Sequence, residues 1–142
     1  MALQIVKQYD KIEVQQTKGR NTMKTAIQIK TDGTIAELDL SANSLATLQE
    51  AVGGLVQAID LGEFTMWCND EGKMLSLPHN PYGQAFWTVA YGNTDYIVGD
   101  IVLTGGADSE GETLGLTAHQ VYRVRTVAQA VSELVGPRVT VY

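Results

Sequence analysis

The sequence predicts an α+β domain, with a largely antiparallel sheet, about three helices packed on it, and the element order ββαββαβαβ. Three observations carry this expectation. Thr31-Asp32-Gly33-Thr34 separates two runs of alternating apolar residues, and Asp-Gly supplies the positive φ angles that a hairpin turn needs. Residues 44–59 and 118–136 repeat apolar side chains at 3-4 spacing, the period of a helix with one buried face. Short strand-like segments lie between them, so hairpins alternate with helices, which gives α+β with a largely antiparallel sheet.

The elements follow in chain order. "LQIVKQYDKIEV" reads as an extra N-terminal hairpin and "QQTKGRNT" as a linker. Residues 1–22 are therefore an extension, and residues 23–142 a single α+β domain. The hairpin at 23–40 carries Ala26, Ile27 and Ile29 before the turn and Ile35, Leu38 and Leu40 after it. "SLATLQEAVGGLVQAI" is expected as one helix with a stripe of Leu45, Leu48, Val52, Leu55 or Val56, and Ile59. Gly53-Gly54 inside it would each cost ~1 kcal/mol relative to Ala. Such a pair implies close packing, the preferred reading, or a helix break, or backbone approach to a ligand.

"FTMWCND" alternates as a strand, with Phe64, Met66 and Cys68 on one face and Thr65, Trp67 and Asn69 on the other. After a turn at residues 70–73, "KMLSL" is expected to return as a second strand. Asn80-Pro81 then opens a helix, because Pro suits the first helical turn and Asn its cap; Gly92 ends it. "YIVGDIVLTGG" reads as a strand with a bulge at Gly99. Thr117 and Gln120 have the spacing of a capping box for the last helix. Its stripe is Val121, Val124, Ala128, Val131 and Val135, and "RVTVY" closes the chain as a strand.

Composition narrows the function classes. The chain has 142 residues, 44% of them hydrophobic and 18% charged, with a formal charge of −6. An acidic surface repels the duplex-DNA backbone and anionic membranes, so neither is an expected partner. Residues 1–22 are locally basic, with Lys7, Lys11, Lys18 and Arg20 against Asp10 and Glu13. One cysteine excludes an internal disulfide, and the N-terminus lacks a secretory apolar core. The expected location is the cytoplasm.

Catalytic signatures are missing from the sequence. It contains no P-loop, GxGxxG, GxSxG or HExxH pattern. Cys68, His79 and His119 have no zinc-ligand spacing. Cys68 shares a strand face with Phe64 and Met66, which makes it a buried hydrophobe. The acids of "DSEGE" do not follow the order of a calcium loop and read as a solvated hairpin loop. No cofactor, metal or enzymatic activity is therefore expected.

The stretch "NDEGKMLSLPHNPYGQAFW", residues 69–87, holds the candidate site: it places two prolines around His79 and Asn80 and then turns aromatic. It is a stiff strand-to-helix joint, a pocket rim, or both. As a ligand pocket it would use Asn69 and Asn80 as paired donors and acceptors, and Trp67 and Tyr82 for stacking. Lys73, Arg123 and Arg125 would hold an anion. Phe86 and Trp87 are further aromatics suited to stacking or to core packing.

The segments "MKTAIQIKTDGTIAELDL", "LATLQEAVGG", "NDEGKMLSLPHNP", "IVGDIVLTGG" and "GETLGLT" together resemble the uncharacterised family called domain of unknown function 3846. The resemblance spans roughly residues 23–117. It implies a bacterial setting, frequent in phages and mobile elements, and makes "LPHNP" a family feature without assigning it a role.

The expected function follows from both readings. It is a phage or mobile-element accessory protein that sequesters a small anionic nucleotide-type signal without catalysis, in a counter-defence role, as a homo-oligomer. The alternative is a protein–protein inhibitor or structural interaction module with no small-molecule ligand. Exposed Phe86 and Trp87 with no adjoining cavity would favour the second.

Overall fold

The computed structural model describes residues 23–135. The N-terminal hairpin and the closing strand expected from the sequence lie outside them. The elements are β1 (Thr25–Ile29), β2 (Ile35–Asp39), α1 (Ser44–Val52), β3 (Val56–Asp60), β4 (Phe64–Asn69), α2 (Pro81–Tyr91), β5 (Ile101–Gly105) and α3 (Ala118–Val135). All strand pairs are antiparallel, in the order β2-β1-β5-β4-β3. The fold is α+β, and its order ββαββαβα is the expected one as far as α3.

The first hairpin forms where the Asp-Gly signal lies. Lys30 and Thr34 close a three-residue loop in which Gly33 alone takes positive φ, +93°. Asp32 Oδ1 accepts the Thr34 amide at 2.9 Å and stiffens the turn.

The second strand pair differs from expectation in its residues. The helix beginning at Ser44 stops at Val52, and Gly53 is its left-handed cap at φ +82°. The amides of Gly53 and Gly54 both donate to the Gln49 carbonyl, which ends the helix. The Gly-Gly pair is thus a break rather than a packed helix interior. A Cβ on Gly53 would meet open space, whereas one on Gly54 would come within 3.0 Å of the Asn69 amide. Leu45, assigned to the buried stripe, is exposed.

Val56 and Ile59 keep their apolar spacing but belong to β3, which pairs with β4 through a two-residue turn at Gly62-Glu63. Gly62 at positive φ in the first central position fits a type II′ hairpin. "KMLSL" is correspondingly not a strand. With β3 and β5 on its two sides, β4 has no edge to offer it. Residues 71–76 instead wind through turns, with Ser76 at φ +56°.

Residues 96–100 also stay outside the sheet. Gly99 (φ +79°) bends the chain, and β5 begins only at Ile101. Every residue of β5 is buried, as a central strand covered on both faces requires.

Side-chain alternation builds the layers. Ile27, Ile29, Phe64, Met66, Ile101 and Leu103 face α2 and α3, where they meet Tyr82, Phe86, Val124, Ala128 and Val131. Ala26, Val102 and Trp67 face α1, against Leu48 and Val52. One helix therefore covers one sheet face and two helices the other. The α3 capping box forms as expected: the Thr117 amide donates to Gln120 Oε1, and the Gln120 amide to Thr117 Oγ1.

Candidate functional site

Asn80 decides what the proline corner is. Its Oδ1 accepts the amides of Tyr82 and Gly83 at 3.0 Å each. Its Nδ2 donates to the carbonyls of Gly99 at 2.8 Å and Ile29 at 3.1 Å. All four hydrogen-bonding positions of the side-chain amide are filled by backbone, and the residue is fully buried. Tyr82 is buried too, with its hydroxyl 3.0 Å from Ser132 Oγ. The corner is a joint that locks the start of α2 to β1 and to the bend before β5.

The remaining candidate residues scatter. Trp67 points to the α1 face and donates to Thr104 Oγ1 at 2.9 Å. Arg123 pairs with Glu63, and Arg125 with Glu37 at 2.8 Å. Only Asn69 and Lys73 come together, at a cleft of about 270 Å³.

This cleft exists because α2 and α3 do not cover the edge strand. Its floor is Gln57, Ile59 and Cys68, on the face of β3 and β4 that the helices cover elsewhere. Trp87 and Ile97 form a wall, and the rim carries Asp70, Glu71, Lys73, Asp95 and Tyr96. Trp87 is held by its Nε1 bond to Thr94 Oγ1 at 3.2 Å and by contact with the Tyr91 ring at 4.5 Å. Asn69 fixes the adjoining turn: its Oδ1 accepts the Glu71 amide, and its Nδ2 donates to the Val52 carbonyl. Because both ends are engaged, Asn69 shapes the cleft.

Charge at the rim is negative, with three carboxylates against one ammonium. Lys73 hydrogen-bonds Asp95, and its Nζ lies 4.4 Å over the Tyr96 ring. The Lys73 hydrogen bond and the Tyr96 amide hold the Asp95 carboxyl below the usual range. Asp70 and Glu71 have no cationic partner among the described residues. Burial, reinforced by the charge of Asp70, pushes the Cys68 thiol up to about 11. At neutral pH it is a protonated, weakly reactive group. Among the described residues, no three His, Cys, Asp or Glu side chains gather as a metal-binding group. No described helix is long and apolar enough to cross a membrane.

Sequence reasoning missed Asp95 and Tyr96. They lie in the "GNTDY" turn, and no spacing rule links that turn to residues 70–73. Only folding brings the two rims together.

The fold and this cleft define an α+β domain with a three-layer core and an acidic, aromatic-walled groove beside a sheet edge that no described strand pairs. The chain belongs to the family described as domain of unknown function (DUF3846), whose model matches residues 23–129. The match takes in all three helices and all five strands up to residue 129, beginning just before β1. No curated protein and no solved structure matches the chain.

Proposed function

We propose that this domain is a non-catalytic module that acts by occupying a protein partner, with the cleft beside β3 as its contact surface. The observation that carries this reading is the charge of the groove: three rim carboxylates face one lysine that is already engaged. Phosphate groups are repelled there, while a polypeptide bearing cations is attracted. Exposed Met74 and Tyr96 add apolar contact area at the mouth. Inhibition of a host protein by a mobile-element accessory protein fits this mode of action.

Nucleotide sequestration is the second reading. What favours it is the presence of Trp87, Tyr96, Asn69 and Lys73 around one cleft, which offers stacking surfaces and a cation. Arg123 and Arg125 are engaged elsewhere, so among the described residues phosphate recognition at the cleft would fall to Lys73.

The two readings separate in one experiment. A photo-crosslinking residue at position 96 is compared with one at position 122 on the outer face of α3, in lysate of a bacterial host. The same protein is heated with a panel of linear and cyclic nucleotides. Crosslinking of a protein at position 96 alone, with an unmoved Tm, supports the first reading. A nucleotide at ~100 times its Kd would add ~2.7 kcal/mol of stability; the resulting rise in Tm would establish sequestration instead.

A further inference from the structure

The outer side of β3, which no described strand pairs, offers more than a wall for the cleft. Leu55 accepts from the Asp70 amide, and the Leu61 amide donates to Phe64. In the β3–β4 register, Leu55, Gln57, Ile59 and Leu61 therefore occupy the hydrogen-bonded positions. The backbone groups of Val56, Ala58 and Asp60 point away from the sheet. One of them is covered: the Tyr91 hydroxyl donates to the Asp60 carbonyl. The amides and carbonyls of Val56 and Ala58 have no partner among the described residues. They form an open ladder next to the groove.

We infer that β3 is an acceptor edge on which an extended, basic segment of a partner protein adds as a sixth strand, with alternate Lys or Arg side chains in the acidic cleft. The inference rests on the protein-binding reading above and names the partner's chemistry. A strand laid on β3 would sit about 4.8 Å from it and point alternate side chains to opposite faces. Those beside Gln57 and Ile59 overhang the cleft, where Asp70 and Glu71 have no cation among the described residues and Tyr96 already carries one from Lys73. Those beside Ala58 lie on the α1 face, next to half-buried Trp67. The favoured pattern is therefore alternating basic and apolar. Self-pairing of two β3 edges is disfavoured, because it would bring two acidic rims together.

The test uses the full chain and a labelled, acetylated peptide, Thr-Lys-Val-Lys-Val-Lys-Thr-amide, read by fluorescence anisotropy. Its controls are the same peptide with glutamate for lysine and one N-methylated at alternate residues. Binding of the lysine peptide alone is expected. Ala58→Pro removes an outward amide without breaking the β3–β4 ladder. It should weaken binding about tenfold, as should N-methylation of the peptide on unaltered protein. Glu71→Lys should weaken binding and flatten its salt dependence.

Failure of the lysine peptide to bind overturns the inference. So does equal binding of the N-methylated peptide, or a dimer by light scattering that Ala58→Pro converts to monomer. Protein crosslinking at position 96 that persists undiminished in Ala58→Pro would leave the protein-binding reading standing and remove strand addition.

Discussion

The side-chain amide of Asn80 donates to the backbone carbonyl of Ile29, 51 residues earlier in the chain, inside the core. A helix cap and a sheet anchor are thereby one residue. Asn80→Ala would leave the amides of Tyr82 and Gly83 and the carbonyl of Gly99 without this partner in a buried place, and would strip the Ile29 carbonyl, which faces Ile101 in the β1–β5 ladder, of its second donor. The cost is about 1–3 kcal/mol for each unsatisfied group that water cannot reach. We expect a loss of at least ~3 kcal/mol and a fall in Tm of ~10 °C or more by calorimetry. Asn80→Asp keeps the cap but sets a carboxylate against two carbonyls, so it should be no better tolerated. A Tm within a few degrees of wild type for either variant would contradict the joint described above.

Gly53 gives a prediction whose sign depends on the fold. Inside a continuous helix, Gly53→Ala would stabilise the protein by ~1 kcal/mol. At a left-handed cap with open space around it, the same change should destabilise by ~1 kcal/mol, and Gly53→Asn should cost less than Ala. Urea unfolding of the two variants decides between a helix running to residue 59 and one ending at Val52.

Cys68 should react slowly in the native state. Its thiol is pushed up to about 11 by burial, from an ordinary value of 9.0. At pH 8 the thiolate population is then about 100-fold below that of an unfolded cysteine. Iodoacetamide labelling should be slower in native protein than in urea by at least that factor. The linkage has a definite sign. The folded state holds its proton to higher pH, so stability is level below about 9 and falls as pH rises from 9 to about 11. Fast native labelling at pH 8 would place Cys68 in an exposed or activated setting.

Arg123 and Arg125 should matter little to stability. Both ion pairs are exposed, and pairs of this kind contribute ~0–1 kcal/mol. Arg123→Ala should cost slightly more than Arg125→Ala, because the guanidinium also lies 5.6 Å from the centre of the Phe64 ring. Neither change should alter peptide binding at the cleft. A large effect on that binding from either variant would move the contact surface to α3.

Local chemistry was readable in the sequence wherever one residue type has a single good use. Asp32-Gly33 could only turn, Asn80-Pro81 could only open a helix, and Thr117 with Gln120 could only cap one; each does so here. The alternation of residues 64–69 correctly assigned Met66 and Trp67 to opposite sheet faces. Val56 and Ile59 were ambiguous, since a spacing of three suits the tail of a helical stripe as well as two positions of a short strand. Pairing with β4 resolves that ambiguity, and pairing is a property of two segments at once. "KMLSL" failed for the converse reason: β4, the strand it would have returned beside, is already paired on both sides.

The candidate site was less legible. Polarity and position suggested Asn80, Tyr82 and the two arginines, but burial and ion pairing occupy all four. Asn69 and Lys73 reach the cleft, joined by Asp95 and Tyr96 from a turn more than twenty residues later. By itself the sequence determined the fold class, the caps, the turns and the acidic character of the chain, because these depend on neighbours within a few residues. The tertiary structure alone decided which strands lie at the edges of the described sheet and which charges face β3. Strand order and helix coverage are set by packing between segments distant in the chain, which short-range periodicity does not encode.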